Sequence, residues 1–145
     1  MRKNLPVTNN EYSMPDGLTL VTRTDLKGKI TFVNADFVEA SGFSEAELMG
    51  QPHNIVRHPD MPEEAFADLW RSLQAGRPWT GLVKNRRKSG DHYWVVANVT
   101  PLLEGDAVVG YLSVRTRPTR EQIEGAAAAY RKFSEGQAAG LAIRD

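Results

Sequence analysis

A chain of 145 residues with 41% hydrophobic side chains is long enough to bury the core of one domain and too short for two of ordinary size. Eighteen Lys and Arg balance eighteen Asp and Glu, so no net field draws the chain to nucleic acid or anionic lipid, and any charge-based role is local. Cysteine is absent, which excludes disulfides, thiolate catalysis, thiolate-held metals and cysteinyl-flavin photochemistry.

Residues 1–18 are polar, with Pro6, Pro15 and an Asp16-Gly17 turn signal, and read as an extended or loosely helical arm. The basic start has no apolar run behind it, so no secretory signal is expected. No stretch approaches the roughly 20 apolar residues of a membrane span, and a cytoplasmic address is the expectation. Two short β-rich segments, 19–24 and 29–33, flank Leu26-Lys27-Gly28-Lys29 and predict a hairpin. A short helix over 35–41 ends at Gly42. Ser44 and Glu47 have capping-box spacing for the next helix, which Gly50 stops.

The stretch Gln51 to Pro62, QPHNIVRHPDMP, is too rich in proline for a regular element, yet it holds His53, Arg57, His58 and Asp60. Asp60 lies three residues before Glu63, which suits the N-cap of a helix running to Gly76 with Phe66, Leu69, Trp70 and Leu73 on one face. Strands are expected at 79–85, 93–103 and 108–117, joined by turns at Lys88-Ser89-Gly90-Asp91 and Glu104-Gly105-Asp106. Thr119 and Gln122 repeat the capping-box spacing and open a last helix with Ile123, Ala127, Tyr130 and Phe133 along one stripe. That stripe reads as a docking face, for the sheet or for a second copy of the domain.

This order predicts an α+β domain: a five-stranded antiparallel sheet with short helices on one face, spanning 19–118, with an N-terminal arm at 1–18 and a connector helix at 119–145. Trp94, Val96, Leu112 and Val114 fall on the face away from those helices. That face is apolar enough to pack on the arm, another copy or a downstream segment.

The spacing Asp25…Gly28…Ile30…Asn34…Phe37…Ser41-Gly42-Phe43…Glu47-Leu48…Gly50 resembles the N-terminal half of a PAS sensor domain, over roughly residues 19–118. QPHNIVRHPDMP, WTGLVKNRRKSGDHYWV and GYLSVRTRPT, in that order, resemble more narrowly the FAD-binding PAS sensor of bacterial aerotaxis receptors. The resemblance implies noncovalent FAD, with Arg57, His58 and Asp60 tied to its retention. It puts His53 where light-sensing flavin relatives carry their reactive cysteine, and Asn85 at the strand end where those relatives bind the pyrimidine edge. Asn34, Trp79 and Tyr93 join the expected cofactor contacts, and Tyr111, Ser113 and Arg115 the expected signal path. It also implies a downstream signalling region, a homodimer through the PAS domain or last helix, and no enzymatic step.

Read on their own chemistry, these residues leave alternatives open. Strand alternation puts Trp79, Gly81, Val83 and Asn85 on one face, where Gly81 admits a flat ring and Asn85 offers an acceptor and two donors. Arg57 suits a phosphate or a carbonyl. Asp60 equally suits a helix cap, Asn85 a turn cap, and Trp79 and Tyr93 the core. Arg86-Arg87-Lys88 reads as an exposed hairpin tip, without the interleaved aromatics of a nucleic-acid surface. Competing functions are a haem-based gas sensor using a histidine, a metal or acid–base site built on His58 and Asp60, and an empty PAS module for protein contacts.

Overall fold

The first hairpin is set by one carboxylate. Asp25 Oδ1 accepts the N–H groups of Lys27 and Lys29 at 2.9 and 2.9 Å, and Gly28 supplies the left-handed residue of the turn with φ 83°. The computed structural model describes residues 4–134, and in it this turn joins β1 (Leu20–Thr24) to β2 (Ile30–Val33). α1 (Ala35–Ser41) starts where Asn34 Oδ1 accepts the Phe37 N–H at 3.0 Å and ends at Gly42. α2 (Glu45–Leu48) carries the expected reciprocal capping box of Ser44 and Glu47.

A 3-10 turn, His53–Val56, fills the proline-rich stretch. α3 (Glu63–Gln74) follows Pro62 with no side-chain cap. Asp60 therefore does not cap it. Residues 58–61 form a turn instead, closed by the Met61 N–H on the His58 carbonyl at 3.1 Å, and the Asp60 carboxylate pairs with Lys84 Nζ at 2.9 Å. The antiparallel meander β3 (Trp79–Arg86), β4 (His92–Glu104) and β5 (Ala107–Thr116) completes a five-stranded sheet of order β2-β1-β5-β4-β3. Pairing of Leu20–Thr24 with Tyr111–Arg115 closes the first strand against the last.

Leu20, Phe37, Leu48, Tyr93 and Val95 are fully buried between the inner sheet face and the helices. Each such side chain contributes roughly 1.5–3 kcal/mol by leaving water. α4 (Arg120–Ser134) opens on the reciprocal Thr119–Gln122 bonds and crosses to the outer face of β3 and β4. There Tyr130 stacks on Trp94 with ring centroids 6.2 Å apart and donates its hydroxyl to Leu82 O at 2.6 Å. Ile123 and Ala127 pack beside them, so the stripe on α4 meets its own sheet. Val21, Leu112 and Val114 on the rest of that face stay half-buried.

Residues 4–18 run extended along the β3–β4 hairpin. Tyr12 N–H donates to His92 O at 2.7 Å, and Arg86 Nε to Pro6 O at 2.8 Å. The basic run is consequently not a free tip. Arg86 is buried, Arg87 donates to the Glu39 and Ala40 carbonyls beneath Tyr12, and Lys88 holds Glu47. Residues 1–3, and the 135–145 portion of the expected connector, lie outside the described residues.

Candidate functional site: a cleft between sheet and helices

The single apolar face of α3 cannot sit flush on the sheet, because the strands beneath it present small side chains. Phe66, Leu69, Trp70 and Leu73 stand over Ala97, Val99, Ser113 and Asn85, and the space between is a cleft of about 760 Å³ counting its open mouth. The turn His53–Arg57 closes one side and Thr24 and Gly28 of the first hairpin another, with Trp70 meeting Tyr111 edge-on at 5.4 Å.

His53, Arg57, Asn85, Tyr111, Ser113 and Arg115 all line this cleft, so six of the expected residues converge from the 3-10 turn, β3 and β5. The turn is fastened by the Arg57–Asn85 bridge and by donation of the His53 N–H to Gly28 O at 2.9 Å. Arg115 Nη2 donates to Thr22 Oγ1 at 3.0 Å and to His53 Nε2. A guanidinium has no acceptor, so Nε2 accepts and the imidazole proton sits on Nδ1. Burial, then the Arg115 charge, pushes the His53 pKa down to about 3; the ring is neutral. Burial also lowers Arg115 to about 10, which leaves it charged.

Arg57 lays its guanidinium over the Phe66 ring, 3.6 Å from the centroid. Several buried polar atoms of the lining have no partner among the described residues: Asn54 Oδ1, Arg57 Nε, Ser113 Oγ and Arg115 Nη1. Such atoms are rare in folded proteins; all four belong to residues that line the cleft, though the atoms themselves have almost no accessible surface.

Other expected contacts lie elsewhere. His58 turns from the cleft: its Nδ1 accepts the Asp60 N–H at 3.0 Å, and its ring meets His92 edge-on at 6.1 Å. Burial and the Lys84 charge hold it down at about 4. His58 and Asp60 thus brace the turn that presents Arg57. Asn34 spends its amide on the Phe37 and Val21 N–H groups and the Thr19 carbonyl.

Tyr93 is core, its phenol pushed up to about 12 by burial, with Arg115 opposing. Trp79 folds its indole back over Gly81, where a Cβ would come within 2.3 Å, and donates Nε1 to the buried Asp68 at 2.9 Å. The flat ring that Gly81 admits is therefore the protein's own.

Thr22, which ties Arg115 to His53, carried no local signal, since its partners are distant in the chain. Phe66 and Trp70 were visible as a helical face but not as a cleft wall. No group of three or more metal-ligating side chains comes together among the described residues.

Residues 30–115 match the protein family described as the PAS fold. The aerotaxis receptor of Escherichia coli (strain K12) is 48% identical over 95% of this chain, which spans 28% of that receptor. The biofilm dispersion protein BdlA of Pseudomonas aeruginosa is 30% identical over 81% of the chain and 31% of its own length. Among solved structures, a light-oxygen-voltage domain studied with a flavin analogue superposes with a TM-score of 0.67 at 22% identity, over 81% of this chain and 87% of that one, which shows a shared fold. Architecture, family match and sequence identity agree: the chain belongs to the PAS fold family.

Proposed function

We propose that the cleft holds a flavin, as noncovalent FAD, and that the domain is the redox- and oxygen-sensing module of a longer chemotaxis-type signal transducer. The observation that carries this reading is the convergence of His53, Arg57, Asn85, Ser113 and Arg115 on one otherwise apolar cleft. An apolar slot suits the faces of a planar heterocycle, and Ser113, Asn54 and Arg115 suit its polar edge. The first relative is by name an aerotaxis receptor, and a flavin analogue figures in the description of the superposed light-oxygen-voltage domain.

A bound flavin would supply a reversible two-electron centre. The chain's own residues bind, orient and report. Asn85, buried on β3, would address the pyrimidine edge, and Arg57 the phosphates or a carbonyl. His53 stays neutral, so it orients through Nδ1–H and passes displacement rather than a proton. Its Nε2 is bound to Arg115 near the end of β5, four residues before the capping residue Thr119 of α4. A change at the His53 edge therefore has a covalent route along Tyr111, Ser113 and Arg115 into α4. No enzymatic step is proposed.

Because the chain spans 28% of the receptor, the recipient of that signal is proposed as a further region of the same transducer, with this domain on its cytoplasmic side. No described helix is long and apolar enough to cross a membrane. The half-buried face at Leu112 and Val114 is left for that region or for a second copy in a homodimer.

A haem sensor loses support: Nε2 of His53 is committed to Arg115, and neither His58 nor His92 lines the cleft. Denaturing the purified protein and chromatographing what is released tests the reading. One FAD per chain is expected. A Soret band, or no chromophore even after incubation with FAD, contradicts it.

A further inference from the structure

The cleft lining contains two guanidiniums, Arg57 and Arg115, and no carboxylate. Burying a charge without an opposite charge is costly, and protein cores rarely keep one. Arg115 is 4% exposed. Its Nη2 has only neutral partners, the Thr22 hydroxyl from β1 and the His53 imidazole from the 3-10 turn, and its Nη1 has none among the described residues. From α1 it faces only the Phe37 ring, 5.2 Å away. From β4 it faces Tyr93, a phenol that burial keeps protonated. The α3 carboxylate of Asp68 is taken up by the Trp79 indole and Arg71. Glu63, at the start of α3, acts on Arg57 and not on Arg115.

We infer that this uncompensated cation makes the cleft select the negatively charged form of its occupant, and that Arg115 is the residue that shifts a bound flavin toward its reduced, anionic state. The inference rests on the flavin reading above. The balance is simple: two electrons from an external donor and one proton from water turn the neutral oxidised ring into a monoanion, and a second proton would make the neutral reduced ring. A fixed positive charge favours stopping at the first proton. By linkage the reduced form then binds more tightly than the oxidised form, and the midpoint potential rises by the same free energy.

The experiment is a redox titration of the FAD-loaded domain with dithionite and mediator dyes, at a series of pH values, beside free FAD. Free FAD steepens its pH dependence on the acid side, where the reduced ring takes up its second proton. The bound cofactor is expected to keep the shallow one-proton slope through that range. Arg115→Gln should shift the reduced-to-oxidised balance at least tenfold toward oxidised, about 30 mV for a two-electron couple. It should also restore the steeper slope, while Arg115→Lys keeps most of the wild-type potential. Arg115→Met should raise the melting temperature of the cofactor-free domain, since it removes an unpaired buried charge.

An Arg115→Gln domain that holds flavin at the wild-type potential overturns the inference. So does a wild-type slope that steepens as free FAD does, which needs no variant to fold. A domain that takes up no flavin overturns the underlying reading, and this inference with it.

Discussion

His58 sits 2% exposed with its Nδ1 lone pair occupied by the Asp60 N–H, and Lys84, Arg86 and His92 add positive or ionisable neighbours around it. Its folded pKa of about 4, against an ordinary 6.5, means that the unfolded chain takes up a proton the native chain refuses. The sign follows: stability is full above about pH 6.5 and falls as pH drops from there toward 4. His53, held near 3 by burial and Arg115, adds to the same loss, opposed within the protein only by its own backbone hydrogen bond. Carboxylates with lowered values, such as Glu47 at about 2, act only below 4.5. Urea unfolding of the cofactor-free domain between roughly pH 7 and pH 5 should therefore show a decline that His58→Gln flattens. An unchanged slope in that variant would show the imidazole to be uninvolved.

At this scale, strand parity and amide chemistry marked Asn85 for the cleft, and the family resemblance marked His53 and Arg57. Parity could not say that His58 turns away after the 3-10 turn, or that the Asn34 amide is spent on three backbone groups. Those outcomes depend in part on distant partners, Val21 and Thr19 for Asn34 and His92 for His58.

Elements were more legible than their neighbours. The Ser44 and Thr119 capping boxes, the 35–41 helix and the turns of the meander follow from short-range chemistry and form as expected. What local pattern cannot carry is the pairing of β1 with β5, which joins segments some ninety residues apart. One glycine reveals that pairing. A Cβ on Gly110 would lie 2.2 Å from the Thr24 carbonyl oxygen, a backbone atom that moves only if β1 and β5 part. Gly110→Ala is expected to cost about 1–3 kcal/mol by denaturant unfolding. Gly125→Ala, in α4 with nothing within 4 Å of its Cβ, should stabilise by about 0.5–1 kcal/mol. Equal effects at both sites would mean that the close strand approach is not a constraint. The position of α4 was half legible: its apolar stripe declared a docking face, and only the fold shows that Trp94 and Leu82 supply the surface.

Across the whole molecule, α1 and α2 fill the core with Phe37, Ala40 and Leu48 while α3 walls the cleft, and the N-terminal arm steadies the turn that carries Arg57. Asn4 Nδ2 does so directly, donating to the Asn54 and Arg57 carbonyls at 2.9 and 2.7 Å. A domain built this way carries unmet polar groups when empty and gains stability when filled, by an amount set by ligand concentration over the dissociation constant. The direct measurement is a titration of the cofactor-free domain with FAD, followed by flavin fluorescence and by melting temperature together. The account predicts saturation at one FAD per chain with a rising melting temperature, and weaker binding in Asn85→Ala. Unquenched fluorescence and a melting temperature indifferent to FAD would contradict it.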